Sequence, residues 1–160
     1  MIGVPYCDRP WSEIRPGLFM GGHDYFSTEG RVENVVVADE FDLVLSLYER
    51  YGCGPAVGVQ RRYARVPDGI LNADDMAAVL RFADLGAEAI RDGRRVLSRC
   101  QAGYNRSGLL TAFILLRLGM GAGEAITLIR ERRSPYALCN QHFVELIHEE
   151  AERLAKDGAA

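Results

Sequence analysis

The sequence predicts an α/β fold, and three observations support this prediction. Residues 41–48 form a near-continuous apolar run, which suits a central strand buried on both faces of a sheet. Residues 96–118 combine a short apolar strand, a glycine-containing loop and an apolar helical run. Amphipathic stretches with helical spacing lie on either side of that segment. The 160 residues, of which 48% are hydrophobic, suffice for one core, so we expect one domain over residues 1–160.

The remaining elements follow from local patterns and from glycine and proline stops. The predicted strands are 11–21 (two strands around a Pro-Gly turn), 31–38 (favoured by three consecutive valines), 41–48, 60–66 and 95–99. The predicted helices are 75–91, about 106–118, 123–133 and a last helix capped by Asn140. A glycine-rich loop, 48–55, should leave the sheet at the edge where ligands bind in open α/β folds. Tyr48 and Tyr51 therefore either flank a substrate ring or only cover the sheet edge.

Composition excludes several functional classes. The net charge is −3 without a long run of one sign, so we expect neither a nucleic-acid partner nor a membrane partner. The N-terminal residues lack the basic and then apolar layout of a signal peptide. Four cysteines without such a signal indicate free thiols and a cytoplasmic location. An excess of arginine, with Lys156 as the single lysine, is typical of a GC-rich bacterial gene.

The most informative stretch is the segment 96–108, in which a strand ends at Cys100 and a helix begins near Arg106. A tight loop around Gly103 would turn consecutive backbone N–H groups inward, and the helix adds the positive end of its dipole. This arrangement suits an anion. It also favours the thiolate form of Cys100, which is the nucleophilic form. Arg106 offers a planar fork that matches two oxygens of a phosphate.

The pattern Cys100-x5-Arg106-Ser107 resembles the signature loop of the cysteine-dependent protein tyrosine and dual-specificity phosphatases. The resemblance implies a single-domain, three-layer sandwich in which helices flank a central, mostly parallel sheet. It implies Cys100 as nucleophile and Arg106 as phosphate ligand, with Ser107 supporting the cysteine as a leaving group; an ordinary first-turn serine would have the same position. The implied phosphate-binding residues are Gln101, Ala102, Gly103, Tyr104, Asn105 and Arg106.

The chain departs from this family at Arg99, where the family usually has a histidine that braces the cysteine loop. His23 lies in a predicted loop. A lone histidine in a loop is most often an ordinary surface residue, which is what we expect here.

A general acid is predicted in the triplet Pro67-Asp68-Gly69, which resembles the family's acid loop. Proline fixes one backbone angle and glycine frees another, so Asp68 should lie on a shaped but mobile turn. Asp74 and Asp75 are the competing candidates. They come directly before an amphipathic run and favour instead the cap and dipole partner of a helix N-terminus.

The function implied by the resemblance is hydrolysis of phosphomonoesters through a phosphocysteine. The expected partner is a phosphorylated protein or peptide carrying phosphotyrosine, with phosphoserine and phosphothreonine as further candidates. We expect no metal and no cofactor, and a monomer is the working expectation. Two alternatives stay open. One is a phosphate-binding module without turnover, and the other is an oxyanion reductase or sulfurtransferase using a second thiol from among Cys7, Cys53 and Cys139.

Overall fold

A computed structural model of the chain describes residues 3–158. The strands are β1 (Trp11–Arg15), β2 (Leu18–Gly22), β3 (Asp24–Phe26), β4 (Val32–Asn34), β5 (Leu43–Ser46), β6 (Gln60–Tyr63) and β7 (Val96–Cys100). The helices are α1 (Ala73–Arg91), α2 (Arg106–Arg117), α3 (Ala122–Arg132) and α4 (Gln141–Gly158). No helix in the described part of the chain is long and apolar enough to cross a membrane.

The central sheet has the strand order β1-β2-β7-β5-β6. Strands β2, β7, β5 and β6 run parallel to one another, and β1 pairs antiparallel with β2 through a turn in which Gly17 has φ +86°. The prediction of an α/β fold with a mostly parallel sheet is confirmed. Because the carboxyl ends of parallel strands lie at one edge, Cys100 at the end of β7 is beside the loop that follows β5.

The two faces of the sheet are covered differently. Alternate strand residues such as Leu43, Leu45 and Val96 belong to the main core, to which all four helices contribute. On the other face, Val44 and Leu97 join a smaller core whose cover comes from irregular segments rather than helices. Strands β3 and β4 form a separate two-stranded sheet. Residues 107–116 of α2 are all buried, as its apolar sequence predicts.

The predicted strands 41–48 and 60–66 are shorter in the structure, Leu43–Ser46 and Gln60–Tyr63, and two further elements differ from the prediction. The strand expected over 31–38 is limited to Val32–Asn34, because the buried valines Val35 and Val37 fill the smaller core without joining a sheet ladder. Helix α1 begins at Ala73, two residues earlier than predicted, and its N-cap is Asn72. The side chain of Asn72 accepts a hydrogen bond from the N–H of Asp75, and the Asp75 carboxylate accepts one from the N–H of Asn72.

Candidate active site

Cys100 is the last residue of β7, and it is buried. Its Sγ lies 3.3 Å from the Oγ of Ser107, which belongs to the first turn of α2. The loop between them turns at Gly103, which has φ +73°. A Cβ at Gly103 would lie 2.6 Å from the backbone of Gly21, so only glycine fits this close approach. Strand, turn and helix thus bring the thiol and the hydroxyl together.

The carbonyl groups of the loop are held from outside. Arg133, buried at the end of α3, donates from Nε to the carbonyl of Gly103 (3.1 Å) and from an Nη to that of Ala102 (3.4 Å). The carbonyl of Tyr104 accepts from the N–H of Leu138 (3.0 Å). In a trans peptide the C=O and the following N–H point in opposite directions. The N–H groups that follow these carbonyls therefore face the interior of the loop, which makes it an anion cradle.

Arg106 forms one wall of this cradle. Its Nη1 donates to the carbonyl of Val66 (3.1 Å), and its guanidinium lies over the ring of Tyr48, 5.5 Å from the centroid. Its Nε is buried without a hydrogen-bond partner among the described residues. A buried cationic N–H without a partner is costly, and an oxygen of a bound anion would satisfy it.

Asp68 is exposed, and two amides hold its carboxylate. Asn105, in the cradle loop, donates from Nδ2 to Oδ2 of Asp68 (3.0 Å), and Asn140 donates from Nδ2 to Oδ1 (3.0 Å). The two asparagines are tied together, since Oδ1 of Asn105 accepts from the N–H of Asn140 (2.9 Å). Asn140 also accepts a hydrogen bond from the N–H of His142 and so caps α4 as predicted.

Most of the residues predicted for the site share one cavity of about 380 Å³, whereas Gly103, Tyr104 and Ser107 do not line it. It is lined by Val4, Tyr6, Asp68, Cys100, Gln101, Ala102, Asn105 and Arg106. The side chain of Tyr104, by contrast, points away from the cavity and donates from Oη to the carbonyl of Pro5 (2.6 Å). Tyr104 can therefore contribute only its backbone. No local sequence signal distinguishes Val4 and Tyr6, which reach the cavity through tertiary packing.

A second cavity of about 910 Å³ adjoins the first and shares Arg106 with it. Tyr48 and Tyr51 both line this second cavity, as does Asp75. Tyr48 is half-buried because it packs on Arg106, whereas Tyr51 is fully exposed. Asp74 and Asp75 belong to the first turn of α1 and are not among the residues that line the cavity of Cys100.

The side chain of Arg99 extends away from the cradle, toward the end of β5 and the loop that follows it. Its guanidinium donates to Oγ of Ser46 (3.1 Å) and to the carbonyls of Cys53 (3.1 Å) and Gly54 (3.0 Å). Burial lowers the pKa of Arg99 to about 10, so the side chain stays charged at neutral pH. Arg99 thus ties the loop after β5 to β7.

The expectation that His23 is a surface residue is wrong. The structure places it between β2 and β3 with 1% of its surface exposed, and its Nδ1 is 2.9 Å from the carbonyl oxygen of Cys100. Burial, together with the positive charges of Arg99 and Arg50, lowers the pKa of His23 to about 4, although the nearby Asp24 opposes this shift. His23 is therefore neutral at physiological pH. A carbonyl only accepts, so Nδ1 carries the proton.

This lowered pKa predicts an acid-sensitive component of stability. The neutral form of His23 favours the folded state, so its contribution is complete above the unfolded pKa of 6.5 and is lost as the pH falls toward 4. By pH 5 the loss should reach about 2 kcal/mol. We expect urea unfolding of His23→Gln to change less between pH 7 and pH 5 than that of the wild type. His148→Gln, on the exposed side of α4, should keep the wild-type dependence.

The other thiols and acidic groups form no additional site. Cys7 and Cys53 are buried and Cys139 is exposed, and none of the three forms a disulfide within residues 3–158. Within residues 3–158 there is no group of three or more His, Cys, Asp or Glu side chains that could hold a metal ion.

The fold and this cysteine loop define a class of protein: an α/β domain with a buried thiol, and a loop of inward-facing N–H groups after it, at the end of a parallel strand. The family description "Dual specificity phosphatase, catalytic domain" matches residues 72–152, and the chain belongs to this family. The matched region includes Cys100, Arg106 and Ser107 but begins after Asp68. A comparison with curated proteins finds no match.

Solved structures of similar fold include several phosphatases. Human DUSP28 is 19% identical with a TM-score of 0.74, and the match covers 95% of this chain and 99% of that protein. Tk-PTP in its active form is 23% identical with a TM-score of 0.63, covering 90% and 97%. PTPMT1 in complex with PI(5)P is 14% identical with a TM-score of 0.69, covering 94% and 99%. At these identities the likeness shows the fold.

Proposed function

We propose that the chain is one catalytic domain over residues 1–160 that hydrolyses phosphomonoesters of proteins, with phosphotyrosine as a substrate and phosphoserine and phosphothreonine as further candidates. One observation carries the proposal. A buried thiol (Cys100), a buried guanidinium N–H without a partner within residues 3–158 (Arg106) and a carboxyl group fixed by two amides (Asp68) all line one small cavity. These are the nucleophile, the phosphate ligand and the proton donor that such a hydrolysis requires.

In the first step the thiolate of Cys100 attacks phosphorus and forms an S–P bond. The bond from phosphorus to the leaving oxygen breaks, and Asp68 gives its proton to that oxygen so that an alcohol or phenol departs. Arg106 and the inward N–H groups of the loop bind the three equatorial oxygens, on which negative charge is spread in the transition state.

In the second step a water molecule attacks the phosphorus of the phosphocysteine, and Asp68, now a carboxylate, takes one of its protons. The S–P bond breaks and inorganic phosphate is released. Ser107, with its Oγ 3.3 Å from Sγ, is placed to donate a hydrogen bond to the departing thiolate. Both steps balance with water as the only co-reactant.

Phosphoprotein is favoured over phosphoinositide by the charge of the site. The side chains that line the cavity carry one cation, Arg106, and one acid, Asp68. Polyphosphorylated head groups call for additional positive charge. The deciding experiment is a hydrolysis assay across phosphotyrosyl peptides, phosphoseryl peptides and phosphoinositides. Phosphate binding without turnover would favour the binding module, and thiol-dependent reduction of arsenate would favour the oxyanion reductase.

Arg106→Lys should lose on the order of 100-fold or more in kcat/KM, because a point charge cannot replace a fork that contacts two phosphate oxygens. The measurement is steady-state hydrolysis of an aryl phosphate at neutral pH. Arg62→Lys is the matched control, because Arg62 is exposed on β6 and does not line the cavity. A loss of only a few-fold in Arg106→Lys would show that Arg106 is a structural residue.

A further inference from the structure

We propose that His23 is a positioning residue for the nucleophile, acting through the main-chain carbonyl of Cys100. This inference rests on the proposed function, in which Cys100 attacks phosphorus. It assigns a role to the residue that directly follows β2, which lies 77 residues from Cys100 along the sequence and is not part of the sequence pattern of the cysteine loop.

The contact is made by backbone and side chain together. The carbonyl of Cys100 accepts from Nδ1 of His23 at 2.9 Å and from the N–H of His23 at 3.0 Å. The next carbonyl, that of Gln101, accepts from the N–H of His23 at 2.7 Å and from the N–H of Asp24 at 3.1 Å. Two successive carbonyls at the start of the cradle are therefore held by one short segment.

These bonds set the direction of the first two cradle N–H groups. Because C=O and N–H are opposed across a trans peptide, holding the carbonyls of Cys100 and Gln101 outward turns the N–H groups of Gln101 and Ala102 inward. Arg133 and Leu138 do the same for the next three peptides. Among the described residues, the imidazole of His23 is the one side chain that donates to the carbonyl of Cys100.

Neighbouring groups hold both the main chain and the ring of His23 in the position from which Nδ1 donates to the Cys100 carbonyl. The strand end is pressed against the loop so closely that a Cβ at Gly22 would lie 2.7 Å from the carbonyl oxygen of Gln101. The imidazole meets the ring of Tyr48 edge-on with centroids 5.2 Å apart. Arg50 donates to the carbonyl of His23 (3.4 Å) and pairs with Asp24. Arg99, although adjacent to Cys100, donates to Ser46, Cys53 and Gly54.

The test compares two substitutions that separate donation from packing. His23→Gln keeps an N–H donor that can approach the Cys100 carbonyl but loses the ring, whereas His23→Phe keeps a ring against Tyr48 but loses the donor. Two quantities are measured: kcat/KM on an aryl phosphate, and the concentration of inorganic phosphate that protects Cys100 from iodoacetamide. His148→Gln, exposed on α4, is the control and should match the wild type.

We expect His23→Phe to lower kcat/KM and to weaken phosphate protection by about 10-fold each, the scale of one lost hydrogen bond. His23→Gln should stay within a few-fold of the wild type. The opposite order, with Phe better than Gln, would overturn the proposal because it would assign the effect to ring packing. Phosphate protection reports the cradle without turnover, so a wild type that hydrolyses nothing would refute the proposed function and leave this test intact.

A measurement on the unsubstituted protein covers the case in which the variants do not fold. We expect ¹⁵N NMR of the imidazole to show His23 as the neutral Nδ1–H tautomer at pH 7, with its Nδ1 resonance moving when inorganic phosphate binds. Observation of the Nε2–H tautomer would overturn the proposal, because Nδ1 could not then donate to the Cys100 carbonyl.

Discussion

Cys100→Ser should lose turnover by on the order of 10⁴-fold or more while still binding phosphate esters. A serine hydroxyl is a far weaker nucleophile than a thiolate near neutral pH, because almost none of it is ionised. The cradle itself should persist, since its outward carbonyls are held by His23, Arg133 and Leu138 and not by the thiol.

The measurement is steady-state hydrolysis of phosphotyrosyl peptide together with binding of the same peptide to Cys100→Ser by calorimetry. Cys53→Ser is the matched control: Cys53 is also a buried free cysteine, but it does not line the cavity of Cys100. We expect that control to keep its activity, even where it lowers stability. Turnover of Cys100→Ser at a rate near that of the wild type would refute the phosphocysteine mechanism.

The sequence predicts the part of the site that is contiguous. Cys100, Gly103 and Arg106 occur within one strand-turn-helix segment, where local rules on turns, helix starts and anion binding apply directly. The buried strand β5 and the all-apolar helix α2 are likewise predicted because burial on both faces leaves a run of apolar residues in the sequence.

The rest of the site depends on packing between distant segments. Nothing near His23 in the sequence indicates burial, yet its strand end lies against the cradle because β2 pairs with β7 in the register that places Gly22 beside Cys100. Arg133 has the pattern of an exposed cation at the end of a charged helix. It is buried because α3 ends behind the loop, where unpaired carbonyls accept its donors.

The site around Asp68 is likewise predicted from the sequence only in part. The turn on which it lies is visible in the sequence as Pro67-Asp68-Gly69, but the two amides that orient its carboxylate come from the cradle loop and from the cap of α4. Asn140 is predicted as a helix cap, and it is one. Its second role, as donor to Asp68, requires the tertiary structure.

Asp68→Asn should cost on the order of 100-fold or more in kcat/KM on phosphotyrosyl peptide, the usual scale for removal of a positioned general acid. The cost should be much smaller on an activated aryl phosphate, because its phenolate leaves readily without a proton. This difference requires that formation of the phosphoenzyme limits the rate, which a burst experiment checks. The basic limb of the pH–rate profile should flatten, because it reports loss of the acid's proton, while the acidic limb should persist.

Asp74→Asn and Asp75→Asn are the matched controls for the assignment of the acid. Asp75 accepts a hydrogen bond from the N–H of Asn72 in the capping box, and Asp74 lies in the same first turn of α1. Both substitutions should lower stability by about 0.5–1 kcal/mol through a weakened helix start, and both should leave the dependence on the leaving group unchanged. The variant Asp68→Asn also places an amide against the N–H donors of Asn105 and Asn140, so a smaller loss of rate is expected on every substrate in addition to the loss of the acid. The ratio of rates between poor and good leaving groups therefore isolates proton donation. A ratio that changes in Asp74→Asn or Asp75→Asn but not in Asp68→Asn would transfer the role of acid to α1.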